Sequence, residues 1–498
     1  MKYFVCLHYV TVFNKLQGQL GTRLILKLAA ISCKLYNRYM PNTSPWIHQL
    51  DEERVTTALG NDEKTDIAIV GAGIAGVSTA FFLLKHTSLK VTLLEGDKLA
   101  HGATGHNAGQ IAGYFERPFR DIVSEFGLEM SCQGQKDLES AWEFLDAMYT
   151  EAGLDIPLAR LTSYAGLSTK EQVLGHLEND YLRRSGGLYT KTVEIFEDAT
   201  FLHQIPEKYH GFFSLVSREE IALKLETFDE QYVAVLSAQK GVMNSALFCQ
   251  EVVSYLLRKY PDRFSLYEHT HIAKVILKED KVLLDALKYT VDCSQVILCT
   301  NGFDNFDIIT VSGLSIDTRF HHNVNGVVAF MSGYLEKFTG VPAALSYFQK
   351  NDPGISKMTD NPGDPYFYVT RRSYEYEKKH QHNLISVGGP DFALEDKAQY
   401  DRSLEFSESA RKQITNFIRK TYDKPEDLEY TFMWHGVMGY TKNLLRMVGP
   451  DPEHKRLFYN LGCNGVGILA SIFGGDKVAR QITGEKFPPS IFDIRSRS

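Results

Sequence analysis

Glycines at close spacing are the first residues in this chain whose type and position point to chemistry. Asp66-Ile67-Ala68-Ile69-Val70 is a β-branched apolar run, followed without a gap by Gly71-Ala72-Gly73-Ile74-Ala75-Gly76 and then by a helical stretch from Val77 to His86. The order predicts strand, tight turn, helix. Gly71 makes the turn, Gly73 lets backbone N–H groups, with those of Ile74 and Ala75, approach a pyrophosphate, and Gly76 lets the helix lie close on the strand. Ala80 keeps that contact small. A second apolar run, Lys90-Val91-Thr92-Leu93-Leu94, ends at Glu95, whose carboxylate can accept hydrogen bonds from the adenosine ribose hydroxyls. An acid there disfavours a 2′-phosphate and therefore NADP; the motif alone leaves FAD and NAD open.

Three later segments favour flavin. Past Glu95 comes His101-Gly102-Ala103-Thr104-Gly105-His106-Asn107-Ala108-Gly109-Gln110, small and polar enough to wrap a long ligand. Val296-Ile297-Leu298-Cys299-Thr300-Asn301-Gly302 is another apolar strand ending in a glycine turn. Leu457 to Leu461 leads into Gly462-Cys463-Asn464-Gly465-Val466-Gly467 and a helix expected to run to about Thr483. The N-terminus of that helix would stabilise a developing anion such as the N1–C2=O locus of reduced flavin. No second G-x-G-x-x-G follows a strand, so a reductase fed by NAD(P)H is disfavoured and the electrons come from an organic substrate.

Together these motifs resemble the glycine oxidase/D-amino-acid oxidase superfamily of FAD-dependent oxidoreductases, over about residues 63 to 495. The likeness rests on Gly71 to Gly76 with Glu95, on Gly102 to Gln110, on Thr300-Asn301-Gly302, and on Trp434-His435-Gly436 and Gly439-Tyr440-Thr441 through to Gly467. It implies an α/β fold: a Rossmann-like FAD-binding domain assembled from discontinuous segments (63–160, 230–305 and 430–498), with an inserted antiparallel-sheet α+β substrate domain (161–229 and 306–429). Ile272 sits where the family contacts adenine through its backbone. His106 falls on the position where one branch of the family carries a histidine bonded to the flavin; the resemblance leaves a covalent link and a histidine packed beside the ring as alternatives. Cys463 is read as a small buried residue, not as a cysteinyl link.

Oxidation of a C–N bond by flavin needs a neutral amine with its Cα–H facing the cofactor, so orientation carries most of the work. Pro365 to Arg372 alternates as a strand should, with Tyr366, Tyr368 and Thr370 on one face, and Arg371 or Arg372 offers a fork for a carboxylate. The plainer alternative is an amphipathic sheet face. Asn383 to Val387 is expected to end in a turn at Gly388-Gly389-Pro390. No lysine stands there of the kind that activates oxygen in sarcosine oxidase, so oxidase and dehydrogenase both remain. His435, in an expected Trp-His-Gly turn, either polarises the flavin and accepts a proton or is a buried hydrogen-bonded histidine. The catalytic candidates are thus His435, Arg371 and Tyr368. His321-His322 lacks partners at ligand spacing, and no metal is expected.

The elements that must position these residues belong to a chain of 498 residues, too long for one core, which usually stops growing near ~250–300 residues. With 44% hydrophobic and 23% charged residues it is an ordinary globular chain, and its net charge of -7 gives no support for nucleic-acid binding. The cysteines at 6, 33, 132, 249, 293, 299 and 463 never form Cys-x-x-Cys, which suits a reducing compartment such as the cytoplasm. Residues 1–50 contain Lys and Arg but no Asp or Glu. They are read, up to residue 62, as a leader and surface linker without a membrane span; mitochondrial targeting or a membrane-surface contact are the alternatives. The function expected is oxidation of a small amine or amino acid, with oxygen or another acceptor taking the electrons. The rivals are a membrane-associated dehydrogenase feeding quinone and a flavin-binding assembly factor without turnover.

Overall fold

The computed structural model describes residues 42–51, 53–190, 192–302, 306–316, 324–350, 366–376, 380–394, 400–424 and 428–494. The expected leader up to residue 40 and the His321-His322 pair lie outside them.

The apolar runs pair into two large mixed sheets. In the first, β1 (Glu63–Val70) lies between β2 (Val91–Leu94) and β11 (Tyr289–Leu298), parallel to both, and β8 (Phe264–Tyr267) extends the sheet beyond β2. The far half of β11 pairs in parallel with β19 (Leu457–Leu461), which carries β18 (Met447–Pro450) beside it. The near half turns back through β10 (Val282–Ala286), β9 (Lys274–Leu277) and β12 (Asp307–Thr310). Ile67 and Ile69 face a core that holds the helices Ile74–His86 and Gly467–Ile482, whereas Ala68 and Val70 face an opposite cluster with Val275, Val282 and Leu284. Burial on both faces explains why β1 reads as a continuous apolar run. Gly76 does what its position predicts: a Cβ there would overlap the Gly71 carbonyl oxygen, so only glycine lets this helix seat on the turn.

The second sheet is mostly antiparallel. Its order is β17 (Phe432–Thr441), β13 (Val324–Lys337), β16 (His380–Ala393), β15 (Tyr366–Tyr376), β14 (Ala343–Phe348), β4 (Ala159–Leu167), β7 (Ala234–Val242), β5 (Val193–Phe196) and β6 (Phe213–Val216), with β3 (Gln110–Ala112) paired to β7. The α/β class with discontinuous segments is what is found, but strand membership departs from the expected boundaries. β7 and β17, expected with the FAD segments, belong to the second sheet, and β12, expected with the insert, pairs in the first. Short alternating strands carry a face preference and no mark of which sheet they join.

Two expected turns are strand interiors. Gly388 sits within β16, opposite Tyr368, where a Cβ would come 2.5 Å from the tyrosine ring. Trp434, His435 and Gly436 lie within β17. Of the expected surface linker, residues 42–50 are instead mostly buried or half-buried, while 53–62 run largely exposed without helix or strand. Trp46, 0% exposed, meets Trp434 edge to face at 6.4 Å and lies under the Arg372 guanidinium at 4.5 Å.

Candidate functional site

The carboxyl ends of β1, β2 and β11 open into a cavity of about 880 Å³. Gly71, Gly73, Ile74 and Ala75 line its floor, and Glu95 and Ile272 stand at one end. Gly71 has φ +101° and a Cβ there would lie 2.7 Å from the Cys299 carbonyl oxygen, so the turn closes against the end of β11. Glu95 accepts hydrogen bonds from the backbone N–H of Ala72 (2.8 Å) and Asp97 (3.0 Å). Burial raises its pKa, and these donors oppose the shift. A carboxylate has about four acceptor positions, so capacity remains for hydroxyls of a ligand.

The loop from Thr104 to Gln110 forms the next wall. Thr104 Oγ1 accepts from the Ile74 N–H at 2.9 Å, tying the loop to the start of the helix. Asn107 latches the loop on itself, donating to the Thr104 carbonyl at 2.8 Å and accepting from the Gly109 N–H at 2.7 Å. The segment at Trp46 clamps it from behind: the indole donates to the Asn107 carbonyl at 2.5 Å, and the Ser44 hydroxyl donates to that of Gly105. His106 faces the cavity with Nδ1 3.0 Å from the Gly102 carbonyl and Nε2 3.3 Å from that of Asn42. Burial pulls its pKa down to about 4, so the imidazole is neutral near pH 7.

Across the cavity, three loops are stitched together. Asn301 Oδ1 accepts from the Cys463 N–H at 2.8 Å, and Asn464 Oδ1 from that of Thr441 at 2.8 Å. Thr300, Asn301, Gly302, Gly465, Val466 and Gly467 line the cavity, as do Thr104, His106, Asn107, Ala108 and Gln110. Gly76, Gly109, Gly462 and Asn464, also expected at the cofactor, are not part of that lining. Among the described residues the buried Thr300 hydroxyl has no hydrogen-bond partner, and it can donate to or accept from a ligand. A glycine turn whose cradle a Cβ would fill, helix amides beside it, an acid at the far end and an orphaned hydroxyl between together fit an elongated dinucleotide such as FAD.

The other end of the cavity lies under the second sheet, where Tyr114, Glu116, Lys240, Ser346, Tyr368, Asp391 and Tyr440 converge. Burial raises the pKa of Tyr368 and Tyr440, with nearby carboxylates adding to it, so both hydroxyls stay protonated. Of the three catalytic candidates, only Tyr368 lines the cavity. Arg371 points from the opposite face of β15 and grips Glu226 with both nitrogens, at 2.6 and 2.8 Å. Arg372, the other candidate fork, stacks on Trp46 and bonds Gln49. Strand alternation predicted opposite faces for these arginines but not which face meets the cavity. His435 is buried behind Tyr400, which does line the cavity: Nε2 donates to the Leu404 carbonyl at 3.0 Å and Nδ1 accepts from the Tyr400 hydroxyl at 2.7 Å. Burial lowers its pKa. It is a hydrogen-bonded core histidine that positions Tyr400, and the role of direct acid or base falls away.

Sequence reasoning missed Arg446, which lines the cavity while donating to Asn460 Oδ1 at 2.6 Å and to the Gly462 carbonyl at 3.2 Å. Burial lowers its pKa to about 10, so it remains a cation under the C-terminal glycine loop. It also missed Lys240 and Glu116. The signal for Lys240 was its phase on β7 with the buried Val242.

The profile of the family described as FAD dependent oxidoreductase (DAO) matches residues 66–481. The chain belongs to that family. A probable oxidoreductase, OrdL, of Haemophilus influenzae is 20% identical over 436 residues, 86% of each chain. Among solved structures, glycine oxidase from Geobacillus kaustophilus superposes with a TM-score of 0.61 at 16% identity, covering 88% of this chain and 100% of its own. L-Proline dehydrogenase from P. horikoshii gives 0.62 at 15%, covering 87% and 97%. At such identities these likenesses establish the fold of an FAD-dependent oxidoreductase. Among the described residues, none form a group of three or more that could hold a metal ion, and no helix is long and apolar enough to cross a membrane.

Proposed function

We propose that this FAD-dependent oxidoreductase oxidises the C–N bond of a small amine or amino acid. The observation that carries the reading is continuity: one cavity begins at the glycine turn and ends among tyrosines, carboxylates and a lysine under the second sheet. Solved proteins of the same fold named for glycine and proline support amino acids as the first substrates to try.

A bound FAD would supply the acceptor for the hydride (two electrons and a proton) of the substrate Cα–H, and the imine so left would be hydrolysed by water. The ADP portion would lie along Gly71, Gly73, Ile74 and Ala75, with Glu95 on the ribose and Ile272 at the adenine. The ring would lie between the loop 104–110 and Thr300, Asn301, Gly302 and Gly465 to Gly467. The helix Gly467–Ile482 and Arg446 supply positive potential there. Tyr368 and Tyr440, kept protonated, act as donors that orient the substrate. Glu116 and Asp391 on the same wall can take the ammonium proton, which must leave before hydride transfer.

His106 would pack beside the ring without a bond to it. Both its nitrogens face backbone carbonyls, so neither the N–H nor the single nitrogen lone pair of the neutral ring is directed freely into the cavity for alkylation. Acid precipitation of the loaded protein should release all the flavin into the supernatant; colour retained on a peptide containing His106 would replace this with the covalent alternative.

The activity is tested by anaerobic mixing of the yellow protein with D-amino acids, N-methylglycines and polyamine derivatives. Bleaching of the visible flavin band by at least one is expected, and a band untouched by all would leave a flavin-binding protein without turnover. Peroxide under air, scored against reduction of an artificial dye, then separates oxygen from another electron acceptor.

A further inference from the structure

Lys240 is 5% exposed, on β7, at the substrate end of the cavity. Its ammonium donates to Gln110 Oε1 at 2.9 Å and to Ser346 Oγ at 3.4 Å, and lies 5.5 Å from the centre of the Tyr114 ring. All three partners are neutral. Among the described residues it forms no ion pair. Gln110 is itself fixed, donating to the Val369 carbonyl at 3.2 Å and to Thr370 Oγ1 at 3.1 Å, so its oxygen is held toward the lysine. A buried ammonium balanced by neutral acceptors carries a large desolvation cost, and an anion brought to its remaining N–H offsets that cost.

The other candidate cations are engaged elsewhere. Arg371 is bound to Glu226, Arg372 stacks on Trp46, Arg402 pairs with Asp97, and Arg446 is held by Asn460 beneath the glycine loop.

We propose that Lys240 is the carboxylate anchor of the substrate pocket, so that the substrate is an amino acid and not a free amine. The proposal rests on the oxidoreductase reading above and names its substrate class. The ammonium takes the carboxylate in a charge-assisted hydrogen bond, with Ser346 beside it. Glu116, which acts on Lys240 through space, lines the same cavity and supplies a negative charge for the ammonium of a zwitterion. Burial lowers the Lys240 pKa to about 8, against which the Glu116 charge works. Tyr114, Tyr368 and Tyr440 on this wall stay protonated, because burial raises all three, and Asp391 is the second carboxylate that lines it. Carboxylate affinity therefore holds below pH 8 and falls as the lysine loses its proton above it.

The test uses the full chain loaded with FAD, titrated with acetate and propionate and with their neutral amides, and followed by the flavin visible spectrum. The carboxylates should perturb the spectrum saturably and the amides should not. Lys240→Met, with flavin content checked against the parent, should weaken carboxylate binding by about tenfold to a hundredfold and remove its pH dependence. Lys240→Arg should keep most of the binding. Unchanged carboxylate affinity in Lys240→Met, or equal response to amides in the parent, overturns the anchor. If the anchor holds while no amine or amino acid bleaches the flavin, the oxidoreductase reading fails alone. If amines without a carboxylate bleach it as fast as amino acids do, and Lys240→Met leaves both rates unchanged, the anchor fails alone.

Discussion

The two ends of the cavity are built on different rules. At the glycine-turn end, backbone atoms do the work: turns, helix amides and carbonyls approach so closely that a single Cβ would collide. At the end under the second sheet, side chains from β3, β7, β14, β15, β16 and β17 or the loops beside them meet, and Lys240 there is held by Gln110, 130 positions away in sequence. The first kind of site tolerates no change in chain shape; the second tolerates many changes in side chain, each of which alters what fits.

Three substitutions sharpen or break this contrast. Gly76→Val should have the largest effect, because its branched side chain enters the space of the Gly71 carbonyl, and neither backbone can yield. The protein should be recovered colourless or unfolded; normal flavin content would show that the first end is less constrained than its geometry requires. Trp46→Ala comes next. It empties a fully buried site, removes the indole bond to Asn107, and exposes the clamp behind the loop. A loss of about 3–5 kcal/mol in urea unfolding is expected, with flavin released at lower denaturant than in the parent. Arg371→Ala should do least. It breaks a partly exposed pair with Glu226, costing about 1 kcal/mol or less, and should leave carboxylate binding as it was. A large loss of that binding would return Arg371 to the site.

Legibility in the sequence follows the same division. The glycine turn, Glu95, Thr300 to Gly302 and the loop 462–467 could be read because backbone chemistry imposes a spacing, and most strands and helices around them fall within a few residues of their expected limits, although β11 begins at Tyr289 and not near Val296. The substrate end could not be read that way. Tyr368 was found by alternation, whereas Arg371 was offered for its carboxylate-binding fork although alternation sets it on the other face of β15, which turns to Glu226. His435 was conspicuous beside Trp434 and proves to be core. Lys240 was missed because a lysine in a strand is ordinarily a solvated one, and nothing local shows the second sheet covering it. The glycines at 388 and 436 suggested turns, yet they sit inside strands to make room for Tyr368 and for the His106 backbone.

The clamp around Trp46 has a consequence for assembly. Asn42 accepts from the His435 backbone N–H, a contact that spans 393 positions, while its neighbours grip the loop at 105–107. Closing so long a span is entropically slow. The prosthetic group therefore cannot be fully enclosed until late sequence has folded back onto early sequence, and a fusion or tag joined near residue 42 would disturb colour before it disturbed either sheet.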